Sequence, residues 1–371
     1  MTTGEGRAEA APFRLFGVDT ARGLALLGMF VAHTLYGPGE RIVDGRSAIL
    51  FATVAGVSLA LVSGGVRPPV GALRVPPRLV IMTRGVVLVL LGVALTVVVN
   101  PPIAVILDYY GFGFLVLLSV LFLPRVVLGG IALVLAFVAP PVVALITDAV
   151  GFEQVPEPLQ LFARWLFHGD YPMFIWFAFL LAGLILGRTD LRNRLNAGIA
   201  IVAGTLSAVL GYGSAHLIPG VTAAAHSGTT AEVFGSGGVA VAVIGILSLL
   251  DGPSGSLRDG PSGSVRDGSH VSGIEARVTK VLRFALAPVA AAGAMALTLY
   301  TAHAVLLAIV RVAVMDNGRW EMPGWVLPIL IIGSLVFATL WRHFVGRGPL
   351  EAGMRALARL VSRGPKPKVA P

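Results

Sequence analysis

The chain has 371 residues, 56% of them hydrophobic and only 13% charged, with no cysteine and a formal net charge of +9. A soluble domain carries about a quarter charged residues, so this composition excludes a soluble globular protein and names the lipid bilayer as its first partner. Disulfides, thiol catalysis and cysteine metal sites are excluded as well.

Runs of about 17–25 apolar residues can cross a bilayer core. They fall at 17–36, 47–65, 79–99, 105–123, 126–147, 171–187, 195–217, 233–250, 287–310 and 324–341. The fold expected is all-α: a polytopic membrane helix bundle of about ten transmembrane helices. The first run is followed by "YGPGERIVDG", which lacks a small-x-small cleavage site, so it is read as a retained span. Residues 1–250 hold eight spans. Residues 251–273, with the near-repeat DGPSGSLR and DGPSGSVR, read as a flexible and replaceable cytoplasmic linker. Residues 274–346 hold the last two spans, and 347–371 form a basic tail. Within that tail "GPLEAGMRALARLVSRGPKPK" reads as an amphipathic helix on the inner leaflet.

With the amino terminus inside, 23 of the 28 Lys and Arg residues fall on the inner side of this alternation. That asymmetry is the positive-inside signature and places both termini in the cytoplasm. The basic excess is therefore topology rather than a nucleic-acid footprint, and no nucleic-acid partner is expected. Usage dominated by Ala, Gly and Val, with Arg far above Lys, points to a bacterium and hence to its cytoplasmic (inner) membrane. The small-residue runs "AAAGA" (Ala290–Ala294) and "GSGG" (Gly235–Gly238) read as close helix packing.

The stretch "FRLFGVDTARGLALLGMFVAHTLYG" places Arg22 at the inner mouth of the first span and His33 in its outer half. Eleven residues are close to three helical turns, so the two share a face about 16 Å apart. Asp19 is within pairing distance of Arg22. His303, with Tyr300 and Arg311 on its stripe, occupies the outer half of the ninth span. Asp108, Tyr109 and Tyr110 open the fourth span from outside, and Asp170 and Tyr171 open the sixth. His226 lies in the outer loop after the seventh. Ionisable residues at membrane depth need a polar cavity or a partner. His33, His303 and Asp108 are the candidate catalytic residues of an outward-opening cavity. Tyr109, Tyr110, Asp170, Tyr171, His226, Tyr300 and Arg311 are the candidates for holding its substrate. The histidines lack the spacing of a metal box, and no resident metal is expected.

"RLFGVDTARGLALLGMFVAH" resembles the opening motif of heparan-alpha-glucosaminide N-acetyltransferase and its bacterial YeiB-like relatives. "GRSAILFATVAGVSLAL", "HGDYPMFIWFAFLLAGLILGR", "HSGTTAEVFGSGGVAVAV", "MALTLYTAH" and "GPLE" resemble later segments of that family, in the same order. The loop Gly37 to Arg46 lacks the further histidine of the animal enzyme. The resemblance implies transmembrane acylation, in which an acyl group (typically acetyl) passes from cytosolic acyl-CoA to a hydroxyl or amine outside. The acceptor class it implies is a carbohydrate or other cell-envelope molecule. Acyl-CoA is a co-substrate, so no permanently bound cofactor is expected. Arg22 matches the motif arginine, His33 the Asn-or-His position and His303 the histidine after the tyrosine. Arg22, Arg78 and Arg84 suit the phosphates of the donor, and histidine suits the base because it titrates near neutrality. A homodimer is a further expected partner arrangement, which the sequence leaves open. The alternative reading is a multi-span transporter or exporter of a small or lipid-linked molecule, which discontinuous helices would favour.

Overall fold

A computed structural model describes residues 15–35, 40–252, 273–315 and 321–362. Among these residues every regular element is helical. In chain order they are α1 (Phe16–Thr34), α2 (Glu40–Val43), α3 (Arg46–Val62), α4 (Val75–Ala94), α5 (Leu107–Leu117), α6 (Arg125–Ala149) and α7 (Glu157–Phe167). There follow α8 (Met173–Gly187), α9 (Arg194–Leu217), α10 (Thr230–Ser248), α11 (Gly273–Gly293), α12 (Ala296–Val314), α13 (Val326–Phe344) and α14 (Pro349–Ser362).

Six helical segments are long and apolar enough to cross a membrane: Gly71–Val99, Arg125–Ala149, Arg194–Leu217, Thr230–Asp251, Ala296–Val314 and Val326–Phe344. The shorter apolar helices α3, α5 and α8 join them. Their outer faces are as apolar as their inner ones. On α9, Leu195, Ile199, Val202, Leu206, Val209 and Leu210 are all exposed. Such a stripe is stable only against lipid or another apolar surface.

The centre of the bundle is built by small residues. Gly56 of α3 lies against the Leu180 carbonyl of α8, and Gly183 of α8 against the Thr53 carbonyl of α3. Gly23 of α1 meets the Val289 carbonyl, and Gly293 of α11 meets the Asp19 carbonyl. A methyl group at any of these four would collide with backbone. The "AAAGA" run is thus the α1–α11 seam, and Gly235 and Gly238 pack α10 onto α9.

Three spans differ from their sequence reading. The ninth is broken at Ala294–Met295, where α11 gives way to α12. No proline or polar residue marks the break. It falls where Gly293 is pressed against α1 and where Glu351 supplies a new amino-terminal cap, taking the Thr298 N–H at 3.0 Å. The fourth span is helical only to Leu117, because the buried Arg188 guanidinium draws the Leu121 carbonyl out to itself at 3.0 Å. The third ends in a π-turn, Leu95–Val99, closed by Asn100 in the left-handed region (φ 48°). Helix α7 lies between the fifth and sixth apolar runs, outside the spans read from the sequence.

The linker reading also needs correcting at its edge. Residues 253–272 lie outside the described residues. Asp251, however, accepts hydrogen bonds from the backbone N–H groups of Phe16 and Gly17 at 2.5 and 3.1 Å. It caps the amino end of α1, so the replaceable stretch begins after it. The tail helix exists as α14 and packs against α4 and α12.

Candidate functional site

α1 and α12 run side by side and bring His33 and His303 into contact. His33 Nδ1 lies 3.0 Å from His303 Nε2, and the two rings are nearly coplanar. His303 Nδ1 lies 2.8 Å from the Tyr300 carbonyl oxygen. A carbonyl only accepts, so Nδ1 of His303 carries the proton and donates it there. Nε2 of the neutral ring then carries the lone pair, and His33 Nδ1–H must donate to it. His33 Nε2 is left as a bare lone pair with no partner among the described residues. Phe30 packs against the His303 ring at 4.9 Å and fixes its orientation. His303 is buried, whereas His33 is partly exposed.

Beside this pair sits a second cluster of side chains. His226 adopts φ 57° and donates its backbone N–H to Glu232 at 2.8 Å. Its ring reaches the Asp170 carbonyl through Nδ1 at 3.1 Å and the Asp44 carboxylate through Nε2 at 3.3 Å. Both nitrogens face acceptors, so the ring is an imidazolium. Burial alone would lower its pKa, but the Asp44 carboxylate and the Asp170 carbonyl together push it up to about 9. The hydrogen bond from His226 holds the Asp44 carboxyl below its usual range. Tyr171 meets His226 edge-on at 5.5 Å and Trp176 stacks on it at 6.4 Å. Glu232 is the fourth residue of a capping box begun by Thr229, whose hydroxyl takes the Glu232 N–H at 3.1 Å.

The other sequence candidates divide between this cluster and the frame around it. Tyr300 is buried, and its hydroxyl takes the Ile106 N–H at 3.2 Å, which joins α12 to the start of α5. Tyr110 donates to the Ala48 carbonyl at 2.9 Å. Tyr109 packs on Tyr171 at 5.7 Å. Gly169, at φ 80°, leaves room for the Tyr109 hydroxyl that a side chain would displace. Asp170 contributes its carbonyl, while its side chain is exposed. Arg311 lies two turns beyond His303 on α12. Asp108 is not joined to the histidine pair. It is fully buried, and its Oδ2 accepts from Arg164 at 2.7 Å and from the Trp165 indole at 3.0 Å, which fastens α5 to α7.

At the opposite end of α1, Arg22 donates to Asp19 at 3.1 Å, to the Gly293 carbonyl at 3.2 Å and to Ser58. Arg84 of α4 is half-buried and within electrostatic reach of Arg22. Arg78 is not part of this group. It lies over the Phe122 ring at 5.3 Å, as Arg74 and Arg188 do from other sides.

Sequence reasoning missed Asp44, Arg164, Trp165 and Glu232. For Glu232 the signal was present, because "TTAE" is a capping-box pattern. Arg164 and Trp165 needed α7 to be recognised as an amphipathic helix. Among the described residues no group of three or more acidic, His or Cys side chains could hold a metal ion.

Residues 273–360, which span α11 to α14 and include Tyr300, His303 and Glu351, match a family described as Protein of unknown function (DUF418). A search of curated proteins finds no match. The similarity therefore covers the part of the chain that brings one histidine of the pair, and not α1, which brings the other.

Proposed function

We propose that the chain is an integral membrane acyltransferase. It would move an acyl group, typically acetyl, from cytosolic acyl-CoA to a hydroxyl or amine of a carbohydrate or other cell-envelope acceptor outside. The observation that carries this reading is the bare Nε2 of His33, held in its tautomer by His303 and the Tyr300 carbonyl. An oriented neutral imidazole is a general base. In the proposed step His33 Nε2 takes the acceptor's proton as its oxygen or nitrogen bonds to the thioester carbonyl carbon. The C–S bond then breaks, and the CoA thiolate recovers that proton. His303 is a positioning residue: it fixes the His33 tautomer and disperses the developing charge. The resemblance of α1, α8 and α12 segments to YeiB-like acyltransferases points the same way, as does the separation of a basic inner mouth from an outer chamber. The setting expected is the inner membrane of a bacterium.

The test is direct. The purified full chain in proteoliposomes is given acyl-labelled acetyl-CoA on its basic side and sugar acceptors on the other. Label appearing on acceptor carbon chains supports the reading. Hydrolysis alone, or no consumption at all, counts against it. The break at Ala294–Met295 favours a second reading, transport, because discontinuous helices line many transporter sites. Uptake of unmodified acceptor in the same vesicles would support that one instead.

A further inference from the structure

Three guanidinium groups gather around one ring. The Cζ atoms of Arg74, Arg78 and Arg188 lie 5.1, 5.3 and 5.8 Å from the centroid of Phe122. A ring has two electron-rich faces, so it cannot serve three cations equally. None of the three forms an ion pair with a described residue. Arg188 is nonetheless satisfied. It is buried and donates to the Ser63 and Gly65 carbonyls at 3.1 and 3.0 Å, to the Ser63 hydroxyl at 2.9 Å and to the Leu121 carbonyl at 3.0 Å. It is the floor of the cluster, pinning the turn that carries Phe122, and not a group that binds. Arg74 gives its Nε–H to the Pro69 carbonyl at 3.1 Å. Its terminal nitrogens, and the whole fork of exposed Arg78, have no hydrogen-bond partner among the described residues. Both stand at the amino end of α4, whose first turn holds no acid, so their charge adds to the helix dipole instead of offsetting it. Two unopposed forks over a buried third cation call for an anion, and guanidinium forks match phosphate oxygens in geometry as well as charge.

What surrounds the forks says which phosphate. Val70, Leu73 and Val75, close to Arg74 in the chain, are 69%, 69% and 52% exposed. An apolar rim beside basic residues at the end of a span belongs at the boundary between headgroups and acyl chains. A soluble phosphate would leave that rim in water. We propose that Arg74 and Arg78 bind the phosphodiester of an anionic glycerophospholipid, with Val70, Leu73 and Val75 against its acyl chains. The leaflet is the one that the basic asymmetry assigns to the cytoplasmic side. The proposal stands apart from the acyl-transfer reading, and Arg78 here serves the membrane instead of a soluble donor.

The test uses the purified full chain in detergent, titrated with phosphatidylglycerol or phosphatidylcholine, with bound lipid counted by native mass spectrometry. Phosphatidylglycerol should be retained preferentially. Arg74→Gln and Arg78→Gln should each lower its retention about 5-fold, the scale of one basic residue at a charged membrane surface. Arg277→Gln, which removes an exposed charge on α11, should not. Leu73→Ser should also weaken the lipid, and glycerol phosphate, the headgroup without chains, should not compete at equal concentration. Without lipid, Arg78→Gln should melt as the native chain does, because the side chain is exposed. Equal retention of the two lipids overturns the proposal, as does unchanged retention in both arginine variants or an equal loss in Arg277→Gln. Glycerol phosphate binding that depends on Arg74 and Arg78 but not on Leu73 overturns it too, since the anion would then be a soluble phosphate.

Discussion

His33 Nδ1 and His303 Nε2 lie 3.0 Å apart although 270 positions separate them in the chain. Their order is fixed by the Tyr300 carbonyl, which can only accept. In the proposed mechanism His33 is therefore the group that faces the substrate and His303 the group behind it. His33→Ala should lower acyl transfer about 10²–10⁴-fold, the usual range for a general base. His303→Gln should lose less than His303→Ala, because the amide oxygen still accepts from His33 Nδ1. Initial rates across pH would separate the roles: only the His303 variants retain a titrating base, with a displaced profile. Near-normal turnover in both alanine variants would remove the mechanism.

Asp108 is expected to be structural. Arg164→Leu leaves a fully buried carboxylate with only the Trp165 indole. Breaking a buried pair costs about 3–5 kcal/mol, and the partial exposure of Arg164 places this one near the lower end. Thermal unfolding in detergent should show a lower Tm for Arg164→Leu. Asp108→Asn should keep turnover within a few-fold. Abolished turnover with an unchanged Tm would return Asp108 to the chemistry.

The Asp44–His226 pair predicts a window of pH stability. His226 is raised from 6.5 to about 9, so its contribution is complete below about 6.5 and is lost as pH rises through about 9. Asp44 is depressed, so its contribution is complete above its ordinary value of 3.8 and is lost as pH falls through its folded value. The Tm of the native chain should therefore fall between pH 7 and 9.5. His226→Gln should start lower and stay flatter over that range. Parallel melting curves for the two proteins would show that the pair contributes nothing.

Asp251→Ala should destabilise α1 by about 1 kcal/mol, the common cost of a lost helix cap. Replacing 253–272 with a neutral linker of equal length should leave the melting temperature and any transfer activity in place. The pair of measurements separates the cap from the segment that follows it. Equal losses in both would show that the low-complexity sequence contributes to the fold.

The helical architecture was legible because apolar runs of membrane length announce themselves, and the histidine positions because ionisable groups inside such runs are costly. What remained hidden was tertiary. Nothing in "AAAGAMALTLY" says that the helix stops at Ala294, because the cause is Gly293 pressed on α1 and a cap supplied from residue 351. Asp108 looked catalytic because Arg164, its partner, stands 56 positions away on a helix too short and too amphipathic to read as a span. His226 looked like a water-exposed loop residue because neither Asp44 nor Trp176 is near it in sequence. Arg78 and Arg84, six residues apart, looked equivalent until Phe122 claimed the first.

The Asp251 cap has a consequence for the order in which the protein is made. The backbone donors at the start of α1 wait for a residue 235 positions downstream. At about 5–20 residues per second, roughly 10–50 s pass before it is synthesised. During that time α1 carries uncapped N–H groups, and its His33 lacks the partner that arrives later still on α12. Helix α1 is thus made early but completed only when the end of α10 and α12 reach it. A chain halted before residue 251 should hold α1 in a state that protease reaches more readily than in the finished bundle.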